Sequence, residues 1–190
     1  DAAILDFQAW LANYAATTNA AERQSFIAEG RRLAAAHRRA LKQLIPEDPR
    51  RALERAVPMV VRQQLPAEIL SQIEERISTR GWYGVFAVEP EGLESPIRRI
   101  VEAGGKRYQA HVYGRRVTQP TTAHAFLNGI VVDELLALDE RPLRVLEPGE
   151  IPDAAQPVVE TCPVSGKSTA VRRAGNPSPP ITADTPAVEA

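Results

Sequence analysis

Residues 97–113 read Ile97-Arg98-Arg99-Ile100-Val101-Glu102-Ala103-Gly104-Gly105-Lys106-Arg107-Tyr108-Gln109-Ala110-His111-Val112-Tyr113. Two runs of β-formers, Ile97–Glu102 and Arg107–Tyr113, stand on either side of Gly104-Gly105. A Gly-Gly pair supplies the positive φ that a two-residue hairpin turn requires. The stretch therefore predicts an antiparallel hairpin. Trp82–Val88, Ala123–Leu127, Ile130–Val132 and Leu143–Leu146 are further short runs of the same kind, and Asn128-Gly129 reads as a second hairpin turn. Residues 133–138 fit a strand or a single helical turn. Several short strands with turns between them indicate a small curled sheet or barrel.

Upstream the period changes from two to 3.6. Ile4, Phe7, Leu11 and Tyr14, joined by Trp10, predict an amphipathic helix over residues 3–16. Asn19 followed by Glu22 has capping-box spacing and opens a second helix to about Leu44, with Phe26, Ile27, Leu33, Ala36, Leu41 and Leu44 as its apolar stripe. Gly30 should weaken that helix slightly, and Pro46 should stop it. Asp48-Pro49 starts a short helix, which Pro58 ends. Pro66 is expected to open another through Ile69, Leu70, Ile73 and Ile77, closed at Gly81. Downstream of Glu147 prolines become frequent and aromatics cease, which is linker composition.

The expected fold is α+β. A helical region (1–80) packs on a small antiparallel β-sheet or partial barrel (81–149), and an extended Pro-rich C-terminal tail (150–190) follows. Of 190 residues, 44% are hydrophobic and 25% charged, which suits a globular body. The net charge of -1 gives no general attraction to nucleic acid, so no nucleic-acid partner is expected. No apolar run is long enough for a membrane span.

Candidate chemistry is sparse. His37, His111 and His124 show no metal-ligand spacing, and no H-E-x-x-H is present. No serine sits in a nucleophile elbow. Thr161-Cys162-Pro163-Val164-Ser165-Gly166-Lys167-Ser168 nearly matches a phosphate loop, but Thr161 stands where a close backbone wrap needs glycine. Arg31, Arg38 and Lys42 share one face of the second helix and read as a solvated basic stripe. Arg172-Arg173, dibasic and beside prolines, is a candidate processing site. The lone cysteine, Cys162, lies in a polar Pro-bearing segment where a thiol is costly to keep, and it is a candidate thiolate ligand for a metal outside this chain. No catalytic residue and no cofactor is expected, so the chain is read as non-enzymatic.

Residues 107–150, with His111-Val112-Tyr113-Gly114, Leu127-Asn128-Gly129-Ile130-Val131-Val132-Asp133 and Pro142-Leu143-Arg144-Val145-Leu146-Glu147-Pro148-Gly149-Glu150, resemble N-terminal regions of large secreted bacterial proteins. Some of these precede zincin-type, reprolysin-like metallopeptidase domains. The Cys162-Pro163-Val164-Ser165-Gly166 segment is similar to the cysteine switch of metallopeptidase pro-regions, although Pro163 stands where the familiar motifs put glycine. The resemblance implies a secreted or cell-surface, non-catalytic accessory or pro-region. Its partner would be a downstream peptidase domain of the same polypeptide, whose catalytic zinc Cys162 would cap. The alternative is a secreted binding or adhesion module with a linker tail, its ligand held on the β-half around Tyr108 and Tyr113.

Overall fold

The structure, a computed structural model, describes residues 2–87, 97–141, 158–161 and 168–171. Two long helices come first, α1 (Ala2–Ala16) and α2 (Ala20–Glu47). The Asn19 side chain caps α2, accepting from Ala21 N at 2.9 Å. Pro46 does not stop α2, because the helix continues through it to Glu47. Asp48 then caps α3 (Pro49–Arg55), accepting from Arg51 N at 2.9 Å, with Pro49 in the first turn as its missing N–H predicts. Two single turns follow, α4 (Met59–Arg62) and α5 (Ala67–Leu70).

The helix expected from Pro66 to Gly81 is therefore cut short. Ile69, Ile73 and Ile77 have helical spacing, yet β1 (Glu75–Ala87) starts between the last two. Tertiary pairing overrides the local period here: Glu75 through Gly81 pair with the strand Thr122–Val132. A register shift between Gly81 and Tyr83 bends β1, and its second half pairs with β2 (Ile97–Ala103). β2 turns at Gly104 (φ 58°) and Gly105 (φ 75°) into β3 (Lys106–Val112), as the hairpin reading requires. A 3-10 helix, Gly114–Thr118, leads to β4 (Thr122–Val132) and β5 (Leu135–Leu138).

The strands close into a barrel in the order β1-β2-β3-β5-β4. The sheet is mixed, because β5 runs parallel to β3. A five-stranded barrel of this order has the Greek-key arrangement of oligonucleotide- and oligosaccharide-binding barrels, a likeness that speaks to topology alone. Asn128-Gly129 is no turn. It lies inside β4, where a Cβ on Gly129 would collide with the Ala137 carbonyl of β5. The reversal comes later, at Asp133, which carries the only positive φ (56°) on a non-glycine among the described residues. Within the stretch read as tail, β6 (Val158–Thr161) and β7 (Ser168–Val171) pair antiparallel. The strand expected at Leu143–Leu146 lies outside the described residues.

Three apolar clusters result. Phe7, Trp10, Tyr14, Leu33, Ile69 and Ile73 form the helical core. Tyr83, Val101, Tyr108, Leu127, Val131 and Leu138 fill the barrel. Between the two, Ile4, Leu41, Ile45, Ala52 and Ala56 of the helices meet Ile130, Val132 and Ala137 on the outer face of β4 and β5. Each large side chain buried in that seam stabilises by about 1.5–3 kcal/mol. Ion pairs border the seam. Arg38 Nη2 and Lys42 Nζ reach the two carboxylate oxygens of Asp133 at 2.8 and 2.7 Å. Half-exposed pairs contribute only about 0–1 kcal/mol each, so apolar burial holds the halves together and the charges fix their register. Two members of the basic stripe on α2 are thus spent on docking to the barrel.

Gly30 has a role that helix propensity misses. The Trp10 indole lies against it, and any Cβ there would enter the ring. Propensity alone predicts that Gly30→Ala stabilises the chain by roughly 1 kcal/mol. Overpacking against a stacked ring predicts the opposite sign, a loss of about 1–3 kcal/mol. Urea unfolding of the variant should show the loss.

Candidate functional site

Two clusters of charge are enclosed and structural. Glu74, just ahead of β1, is fully buried. Its Oε1 accepts from Val57 N at 2.8 Å and from Arg62 Nη1 at 3.2 Å, and its Oε2 lies 3.4 Å from His37 Nε2. That last approach is ion-pair distance without hydrogen-bond alignment. His37 is fully buried and packed under Phe7, with ring centroids 5.0 Å apart. Desolvation pulls the Arg62 pKa down and the neighbouring Glu74 carboxylate pulls it up. No substrate can reach this group, so it ties the α3–α4 loop to the root of β1.

The second cluster plugs one end of the barrel. The buried Arg116 of the 3-10 helix donates to the Asp139 carbonyl at 2.9 Å, Gln119 Oε1 at 2.7 Å and the Phe126 carbonyl at 2.8 Å. Tyr83 donates its hydroxyl to the Arg116 carbonyl at 3.2 Å. Burial lowers the Arg116 pKa and raises that of Tyr83. A guanidinium with its donors matched to acceptors replaces an apolar plug.

The open chemistry lies elsewhere. β2 and β3 pair only from Ile100↔Gln109 to Ala103↔Lys106. Beyond that point both strands run on, β2 against β1 and β3 against β5. Between Ile97–Arg99 and Gln109–Val112, with Pro46, Glu47 and Pro49 of the α2–α3 corner as the far wall, is a cleft of about 620 Å³. That size suits a ligand site. Two of its lining residues, Arg99 and His111, each carry a buried side-chain nitrogen (Nε and Nε2) with no hydrogen-bond partner among the described residues. Arg99 is anchored by its Nη2, which donates to the Val117 carbonyl at 2.8 Å. Burial pushes the His111 imidazole below its ordinary value. A neutral ring can accept or donate through Nε2.

An aromatic shelf continues the cleft on the outer face of β1. Trp82 lies flat over Gly84, and the Phe86 ring sits 5.8 Å from it, tilted by 55°. Phe86 is paired across to Arg98 and is 41% exposed, as is Ile97.

The residues singled out from sequence are not the ones brought together here. Tyr108 points into the barrel and is buried. Tyr113 sits at the barrel end, its hydroxyl 3.4 Å from Asp139 Oδ1. Between these two tyrosines, Gln109 to Val112 line the cleft. Strand alternation could have pointed to Gln109 and His111, which stand with Arg107 on the opposite face from Tyr108 and Ala110. His124 is exposed on β4, and no group of three or more His, Cys, Asp or Glu able to hold a metal occurs among the described residues. Among them, too, no helix is long and apolar enough to cross a membrane. Ser168 opens β7, whereas a phosphate loop leads into a helix. Cys162, Arg172 and Arg173 lie outside the described residues.

The lowered His111 pKa has a sign that can be tested. As pH falls through about 6.5, the unfolded imidazole takes up a proton that the folded one refuses. Stability present above that pH is therefore lost as pH falls towards the folded value. Urea midpoints across this range should fall more steeply for the parent chain than for His111→Asn.

Compared with known proteins, the chain matches no family model, no curated protein and no solved structure, so its functional reading rests on the chemistry of the cleft.

Proposed function

We propose that this chain is a non-catalytic accessory module of an exported bacterial polypeptide, acting by binding a partner in the cleft between β2, β3 and the α2–α3 corner. One observation carries the reading. Arg99 and His111 line the same cavity, and each carries a buried side-chain nitrogen, Nε and Nε2, without a hydrogen-bond partner among the described residues. A buried unsatisfied donor or acceptor costs about 1–3 kcal/mol. Elsewhere this fold satisfies its buried Arg116 on three sides. In this reading a ligand held between the two residues supplies the missing bonds.

In this reading the partner is the rest of the parent polypeptide, as the resemblance to secreted N-terminal regions implies. Titrating that remainder, expressed separately, into this chain in a calorimeter should give saturable heat. Gln109→Trp, a filling of the cleft from an exposed position, should abolish the heat. Absence of heat, or heat indifferent to the substitution, would overturn the reading.

A second reading keeps the zinc-capping role of Cys162 and the processing role of Arg172-Arg173. It is favoured by the β6–β7 ribbon. Thr161 ends β6 opposite Ser168 at the start of β7, and Cys162 is the next residue in the sequence after Thr161. In this reading Cys162 supplies a thiolate to the catalytic zinc of a downstream peptidase. Inhibition of that peptidase by this chain should weaken about a hundredfold or more in Cys162→Ala, the scale of one lost metal ligand. Equal potency of the two would remove the switch.

A further inference from the structure

We infer that Trp82 and Phe86, on the outer face of β1, form a stacking platform for an uncharged oligosaccharide of flat, equatorially substituted pyranose rings. The platform lies beside the cleft and takes a ligand of its own, so the inference goes beyond the partner reading and does not rest on it.

The backbone explains how the indole is laid down. Tyr83 points into the barrel, so strand alternation turns Trp82 outward. The register shift between β1 and β4 falls on Trp82: Gly81 pairs with Ala125 and Tyr83 with Thr122, and Trp82 is passed over. With no β4 residue set directly opposite, the indole turns along its own strand. It comes to rest on Gly84, where any Cβ would enter the ring. A ring seated on glycine presents its other face away from the sheet. The Phe86 ring closes one end of this shelf, tilted by 55° and exposed. Together the two rings run along β1 from residue 82 to residue 86.

The neighbours decide what the shelf holds. Glu102 stands opposite Trp82 on β2, and Arg107 stands opposite Glu102 on β3. Both are exposed, with Arg107 Nε 3.8 Å from Glu102 Oε1. So loose and solvated a pair leaves each group most of its hydrogen-bonding capacity. One row of the sheet thus offers an aromatic face, then a carboxylate that accepts, then a guanidinium that donates. A pyranose ring has the matching parts. Its face of C–H bonds stacks on the indole, and its rim of hydroxyls both donates and accepts. Ligand sites commonly combine apolar surface with a few such orienting groups. The opposite charges cancel, which favours an uncharged ligand. Single-stranded nucleic acid needs a basic track beside its stacking rings, and Glu102 stands in that position. Two rings also fall well short of the about 800 Å² that a stable protein partner covers on each side.

The test is titration of the full, isotope-labelled chain with cellohexaose and with chitohexaose, followed by NMR, with oligo-dT as a parallel probe. The chain has two tryptophans, and Trp10 is buried in the helical core. At least one hexasaccharide should shift the Trp82 indole N–H and leave that of Trp10 in place. Trp82→Ala should weaken binding about tenfold or more, the scale of a lost stacking contact. Gly84→Ala keeps the ring but removes its seat, and should weaken binding similarly. Glu102→Gln, an exposed change of nearly equal volume, should weaken binding about threefold with the urea midpoint unmoved, the scale of a weakened hydrogen bond. Silence with both hexasaccharides overturns the platform, as do shifts that spare Trp82 or full binding by Trp82→Ala. A Trp82 shift produced by oligo-dT alone overturns the sugar and makes the rings a base-stacking surface. The calorimetric titration against the parent polypeptide bears on the cleft, so its failure leaves the platform standing and the two readings fall separately.

Discussion

The second half of β4, Leu127 to Val132, is buried on both faces, and the rest of the molecule is arranged around that fact. Leu127 and Val131 point into the barrel, while Ile130 and Val132 point out and are covered by α1, α2 and α3. A strand sealed on both sides reads as a continuous apolar run, as Ile130-Val131-Val132 does. The close approach depends on Gly129, because any Cβ there would meet the Ala137 carbonyl. β4 and β5 thereby become the plate on which the helices are mounted. That mounting brings Pro46 and Pro49 to the edge of β3 and gives the cleft its far wall. A helical half held by its ion pairs alone could not keep the wall in place. Exposed pairs such as Lys42–Asp133 contribute too little against the several kcal/mol of the apolar seam.

The polar interior follows a consistent rule, which makes its exceptions informative. Burying a charge is expensive unless partners replace the lost water. Glu74 obeys through Oε1, which takes Val57 N and Arg62, while its Oε2 has no hydrogen-bond partner among the described residues, and Arg116 obeys with three acceptors. His37 is the partial exception, its imidazole nitrogens lacking hydrogen bonds although Glu74 stands at ion-pair distance. It is enclosed with no route to solvent, so the shortfall there is a cost of the fold. Arg99 and His111 differ in that both residues line an open cleft, although their Nε and Nε2 atoms are buried. The same energetic shortfall can be made good by a ligand in one place and not in the other.

Much of the fold was legible because local chemistry and tertiary structure agree. Asn19 and Asp48 cap the helices they were expected to cap, and Gly104-Gly105 turns the hairpin. Where sequence and structure part, a long-range contact decides. Asn128-Gly129 has turn chemistry, yet its glycine answers a steric demand from a strand that follows it. Ile73 and Ile77 keep helical spacing, but pairing with β4 claims Glu75 onward. The parallel β3–β5 pair leaves no local trace at all, since nothing near either strand specifies its neighbour. The candidate site was less legible for the same reason. His111 was visible as a histidine in a strand, but its unpartnered nitrogen depends on how β2, β3 and the α2–α3 corner converge. Tyr108 was attractive as an aromatic, and only the inward phase of β3 shows that it belongs to the core.

The position of the cleft follows from how the barrel is closed. β3 ends in a 3-10 helix that crosses the barrel mouth, plugging it with Arg116 and giving the Val117 carbonyl to Arg99. Arg99 belongs to β2, so the plug holds the β2 strand at the point where its pairing with β3 has stopped. β3 is held on its other side by the parallel register with β5, through Val112↔Leu138. Each strand is thus fixed by a different neighbour, and the space between them is maintained by the framework rather than by loops. A site built this way loses little conformational entropy when filled, because its walls are already ordered. The polar plug and the cleft are therefore one device: the helix that closes the barrel with hydrogen bonds, in place of an apolar cap, anchors one wall of the opening beside it.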